Sequence, residues 1–146
     1  MKKLFTLLAL TISFSMNAQV GTNNTSPTGT YASAMGQGTT ASATASTAMG
    51  YNTTASGLVS TAMGDISTAS GIVSTAMGTA TTASGYNSTA MGSFTTASDF
   101  ASTVIGQFNS SGSSVTNNAT SFSTSNTAFV IGNGADSSNK SDAFKV

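Results

Sequence analysis

Broken every seven residues, the stretch from Ser46 to Phe108 reads STAMGYN, TTASGLV, STAMGDI, STASGIV, STAMGTA, TTASGYN, STAMGSF, TTASDFA, STVIGQF. Alternate heptads differ at their fourth position. It is methionine at Met49, Met63, Met77 and Met91, with Ile105 at the next node, and serine at Ser56, Ser70, Ser84 and Ser98. The true period is therefore fourteen residues, made of two half-units that differ in polarity. Ala32 to Gly38, with Met35, and Thr39 to Ala45, with Ser42, carry the same register backward. Units this short cannot bury a core alone and are stable only when stacked on copies of themselves. The sequence is that of a solenoid.

A seven-residue period also evokes a coiled coil, but the residue types exclude it. Gly50, Gly57, Gly64, Gly71, Gly78, Gly85 and Gly92 recur once per heptad, and each would cost a helix about 1 kcal/mol relative to alanine. No charged flanking positions are present to specify helical partners. Disorder is the other reading for a chain rich in Ser, Thr, Gly and Asn. Disorder, however, places no demand on which heptad carries Met and which Ser, and here the alternation holds without a break from Ala32 to Ala101.

Taken as short strands, Thr-Ala-Met and Thr-Ala-Ser alternate their side chains between two faces. Ala48, Ala55, Ala62, Ala69, Ala76, Ala83, Ala90 and Ala97 fall on one face, so both strands of each coil are expected to turn a methyl into a very narrow interior. Thr47, Met49, Thr61, Met63, Thr75, Met77, Met91 and Ile105 fall on the outer face of one strand. Thr54, Ser56, Thr68, Ser70, Thr82 and Ser84 fall on the outer face of the other. Glycine at the fifth position is expected to end each strand, because it enters positive φ without strain. Of the connectors, Leu58, Ile72, Tyr86 and Phe100 form a mostly apolar edge, and Tyr51, Asp65, Thr79, Ser93 and Gln107 a wetter one.

Exposed methionines in a monomer with an alanine-lined core lose the burial that would offset chain entropy. The methionine face, with Leu58 and Ile72 at its margin, is therefore expected to meet copies of itself. The serine face is expected to meet solvent or a ligand.

Composition narrows the function. The chain has 146 residues with no Cys, His or Trp, and its charged residues are four Lys or Arg and four Asp or Glu. No catalytic residues, metal ligands or cofactor are assigned. Asp65 and Asp99 are more than two coils apart, so they cannot act as an acid–base pair or share a metal. Nothing supplies the basic face that nucleic acid requires.

Lys2 and Lys3, the apolar run Leu4 to Phe14, and Ala18 read as a secretory signal over residues 1–18. The apolar run is too short to span a bilayer. The rest divides into a lead-in at 19–31, the repeat body at 32–108, and 109–146, an irregular stretch holding one degenerate repeat. The ending Asp142 to Val146 has the look of a strand, and the chain is expected to be part of a longer product.

The repeated Ser-Thr-Ala-Met-Gly at 46–50, 60–64, 74–78 and 88–92, with Ser-Thr-Val-Ile-Gly at 102–106, resembles the S-V-A-I-G repeat of YadA-like heads in trimeric autotransporter adhesins. Phe129-Val130-Ile131-Gly132 resembles one further, aberrant copy. The resemblance implies an all-β, left-handed parallel β-roll of about fourteen residues per coil that trimerises through its apolar strand. Thr replaces the family's Val in most units, which makes that face more polar. The resemblance further implies an exported, non-catalytic adhesin head at the cell surface, outer membrane or extracellular space. Such a head would be a homotrimer binding a host, matrix or cell-surface ligand, with no membrane insertion by this segment. The competing readings are an ice-binding solenoid, suggested by the Thr and Ser columns, and a structural fibre or spacer.

Overall fold

Strict repetition lets each half-unit hydrogen-bond to its equivalent one coil away, and that stacking builds the whole molecule. The computed structural model describes residues 22–110 and 118–146; the expected signal over residues 1–18 lies outside the described residues. Among the described residues there is no helix.

The Met half-units form five-residue strands: β3 (Ser33–Gln37), β5 (Thr47–Tyr51), β7 (Thr61–Asp65), β9 (Thr75–Thr79), β11 (Thr89–Ser93) and β13 (Thr103–Gln107). The Ser half-units form two-residue strands: β4 (Thr40–Ala41), β6 (Thr54–Ala55), β8 (Thr68–Ala69), β10 (Thr82–Ala83) and β12 (Thr96–Ala97). Two short strands precede them, β1 (Thr22–Asn23) and β2 (Ser26–Pro27), and β14 (Phe129–Asn133) and β15 (Asp142–Lys145) follow. One sheet runs β1-β3-β5-β7-β9-β11-β13-β14-β15 and the other β12-β10-β8-β6-β4-β2. The repeat strands pair in parallel at a shift of fourteen residues, so that Ala48 lies on Ala62 and Met63 on Met77. The chain is a β-solenoid.

The alanines from Ala41 to Ala97 at the third heptad position are fully buried, and Val104 and Val130 continue the column. The interior is not alanine alone. The first heptad position, Thr39, Ser46, Thr53, Ser60, Ser67, Ser74, Thr81, Ser88, Thr95 and Ser102, is buried too. Some of these hydroxyls are satisfied by backbone: Ser74 Oγ donates to the Gly71 carbonyl at 2.7 Å and Ser67 Oγ to the Gly78 carbonyl at 3.0 Å.

Glycine does not end the strands. In the Met half-units Gly50, Gly64, Gly78 and Gly92 lie inside them at φ of 107 to 125°. Gly57, Gly71 and Gly85 have no positive φ; there an added Cβ would overlap the carbonyl of the next coil, at Gly71, Gly85 and Asp99 respectively. The chain turns instead on the seventh heptad position. Asn52, Val59, Ile66, Val73, Ala80, Asn87, Phe94, Ala101 and Phe108 all have φ between 40 and 57°.

The regular coils stop at Asn109. The repeat then resumes with β14, whose Val130 and Ile131 pair in parallel with Val104 and Ile105 of β13. Strand β15 returns antiparallel against β14 and closes that end of the sheet.

Candidate assembly face and contact face

Because side chains alternate along β5, β7, β9 and β11, burying Ala48, Ala62, Ala76 and Ala90 forces Thr47, Thr61, Thr75 and Thr89, with Met49, Met63, Met77 and Met91, onto the outer side. Those residues are half-buried by their neighbours one rung away. Met35, Met49, Met63, Met77 and Met91 are in register from strand to strand. Thr103 and Ile105 of β13 hold the equivalent places, also half-buried, and Ile131 is 36% exposed at the end of the row.

Leu58 and Ile72 lie off this strand. Each is the first central residue of a turn closed by a backbone hydrogen bond, from Ser60 N–H to the Gly57 carbonyl at 3.1 Å and from Ser74 N–H to the Gly71 carbonyl at 3.3 Å. Leu58 is exposed and Ile72 half-buried. Higher in the same column, Tyr86 N–H donates to the Ala119 carbonyl at 2.7 Å and Phe100 N–H to the Asn118 carbonyl at 3.1 Å, so the chain itself lies along those two rungs.

The next residue of each turn belongs to neither strand face, and this position carries four of the six exposed large apolar side chains of the repeat body 32–108, Val59, Ile66, Val73 and Phe94, the others being Tyr51 and Leu58. Val59, Ile66 and Val73 are β-branched residues in the left-handed region, at φ of 56, 56 and 54°. For an L-residue that conformation costs about 1–2 kcal/mol. Their side chains are nonetheless 50, 54 and 49% exposed. The turn opposite Leu58 is therefore not the wet edge that Tyr51, Asp65, Thr79, Ser93 and Gln107 suggest: it carries Ile66 and the stacked rings of Phe94 and Phe108, with centroids 4.7 Å apart. A signal for these corners existed. Gly38, Asn52 and Asn87 share the column, and Gly and Asn are the residues that accept positive φ most readily.

On the other sheet Thr54, Thr68 and Thr82 are in register and half-buried, with Ala55, Ala69 and Ala83 pointing inward. Ser56 and Ser70 are exposed and Ser84 is half-buried, but all three fall just beyond the two-residue strands. The row of hydroxyls is thus one Thr wide in strand geometry, flanked by serines that lie between the strand and the turn.

Asp99 and Asp65 are far apart in the coil order. Asp99 is buried and its Oδ2 accepts the Thr127 N–H at 2.8 Å. Among the described residues no three His, Cys, Asp or Glu side chains stand together in a way that could hold a metal ion. No helix among them is long and apolar enough to cross a membrane.

These features define a β-solenoid with one sheet face carrying an in-register row of methionines and one hydroxyl-lined face. A model of the YadA head domain repeat, two copies long, matches residues 28–53, 55–81, 69–95 and 83–109. Those segments take in more than half of the chain, and the chain belongs to the YadA head family. The family is one of adhesin-type heads in trimeric, surface-exported autotransporters. No curated protein and no solved structure matches the chain.

Proposed function

We propose that the chain is the head of an exported homotrimeric adhesin, held together through its methionine sheet and attaching by multivalent contact to a host, matrix or cell-surface ligand. The observation that carries the reading is the unbroken Met35-to-Met91 row on the outer side of the long sheet, in a chain whose repeat belongs to a family of trimeric heads. Fully burying each methionine is worth about 1.5–3 kcal/mol, an offset the small alanine and hydroxyl interior does not supply. Three copies facing inward leave the sheet of Thr54, Thr68 and Thr82 outward on every side. Weak contacts on three linked faces then add up, because the second and third bind at high effective concentration. No step in this reading is catalytic, and no cofactor takes part.

Sedimentation of the wild type and of the double variant Met63→Lys, Met77→Lys tests it, alongside binding of both to matrix-coated surfaces and cells. A wild-type trimer that binds saturably, and a folded monomeric variant that does not, supports the proposal. A variant that keeps the wild-type mass removes the methionine row as the interface.

A further inference from the structure

Resting on the trimer reading above, we propose that neighbouring copies interlock at their corners, with Ile66 of one copy seated between Val59 and Val73 of the next. Val59 and Val73 turn the chain just before β7 and β9, and Ile66 turns it just after β7. The two kinds of corner therefore flank the methionine sheet on opposite sides. Each combines a strained backbone with a half-exposed branched side chain. Asn52 and Asn87 occupy equivalent corners with residues suited both to water and to positive φ. Valine and isoleucine suit neither, so these corners are surfaces made to be covered.

What covers them follows from the repeat. Successive corners on one side are fourteen residues, one rung, apart, and Ile66 comes seven residues after Val59 and seven before Val73. With the axial rise spread evenly around each coil, its height is midway between theirs, about 2.4 Å from each, half the ~4.8 Å strand spacing. When copies stand side by side at equal height around a common axis, the Ile66 corner of one faces the gap between the Val59 and Val73 corners of its neighbour. Sizes higher up agree: bulky Phe94 falls at the level between Asn87 and Ala101. The matching partner must carry the same rung spacing and the same half-rung offset, which a second copy of this chain does. A closed ring of three uses unlike patches at each contact, and the two corner columns supply them.

The chain has no cysteine, so disulfide trapping reads these contacts directly. Within one copy the five residues of β7 separate positions 59 and 66 by roughly 16 Å at the usual rise per residue, beyond disulfide reach. Oxidising the double variant Val59→Cys, Ile66→Cys should give a covalent trimer on a non-reducing gel, and neither single variant should cross-link. A covalent dimer from Val59→Cys alone would show like corners meeting and overturn the interlock. A trimer in reducing buffer that fails to cross-link in either Val59→Cys, Ile66→Cys or Ile66→Cys, Val73→Cys would overturn it too, while leaving the trimer reading intact. Wild-type protein that sediments as a monomer would overturn the trimer reading itself, and the interlock with it.

Discussion

Asn109 holds both backbone groups of Thr96: its Oδ1 accepts the Thr96 N–H at 2.7 Å and its Nδ2 donates to the Thr96 carbonyl at 3.1 Å. One coil earlier the Thr82 N–H donates to the backbone carbonyl of Thr95. Asn109 occupies the place of the next buried hydroxyl after Thr95, fourteen residues on. Its carboxamide thus stands in for a strand that does not form, and it closes the short sheet at β12. Asn109→Ala would leave the part-buried Thr96 N–H and C=O without their partner, at a cost of about 1 kcal/mol. Denaturant unfolding should show that loss, and hydrogen exchange should show the Thr96 amide newly unprotected. Asn109→Asp keeps the acceptor but removes the donor and should fall between the two.

The interior yields a sharper contrast. Ala62 is fully buried and stacked between Ala48 and Ala76, so Ala62→Leu forces extra volume into a core without slack, at about 1–3 kcal/mol. Ser56 is exposed beyond the end of β6, and Ser56→Ala should shift the melting temperature little. Equal shifts for the two variants would mean that the inward and outward columns have been exchanged.

The stacking of coils, the alanine core and the outward methionines were legible because a strict period fixes which residues lie above one another, and alternation fixes which share a face. Chain direction at the corners was not. Gly57 and Gly50 look alike in the sequence, yet Gly50 has φ of 114° and Gly57 has no positive φ. What both share is a neighbouring carbonyl too close to admit a Cβ, and a glycine retained for closeness looks the same as one retained for φ. The buried hydroxyl column was missed for a related reason. Ser and Thr count as polar in a pattern of faces, but within a coil this narrow Ser74 reaches the Gly71 carbonyl of its own turn and is satisfied there. The sequence excludes an acid–base or metal role for Asp99 but does not reveal its structural one, because that depends on Thr127, twenty-eight residues on, beyond any repeat-based reading.

The loop after β14 should respond to acid. The Asp136 carboxyl is held below its ordinary value of 3.8, first by the hydrogen bond from the Asn139 side chain and then by the backbone N–H groups of Ser138 and Asn139. These donors lie at 3.0, 2.8 and 2.9 Å from Asp136 Oδ1. A depressed folded pKa means that the ionised form favours the ordered loop. That contribution is complete above the ordinary carboxyl value and is lost as pH falls through the lowered one. Amide shifts of Ser138 and Asn139 should therefore titrate together below pH 3.8, and Asp136→Asn should abolish that titration without altering the sheet signals.

Thr54 and Thr82 lie two rungs apart on the short sheet, with Thr68 between them in register, and a pair of substitutions there separates attachment from ice binding on one face. Their side chains are half-exposed while Ala55 and Ala83 beside them are buried, so Thr54→Lys with Thr82→Lys should leave the fold and the trimer mass unchanged. If this sheet is the contact face of an adhesin, each copy loses part of its patch. Because three patches act together, binding of the trimer should weaken by more than about tenfold, well beyond the effect on a single patch. The wild type should show no thermal hysteresis. An ice-binding surface would give the opposite pattern, with hysteresis in the wild type and its disappearance in the variant, since one bulky charge keeps ordered water from several neighbouring rungs. A double variant that binds cells and matrix as the wild type does would move the contact surface off this sheet.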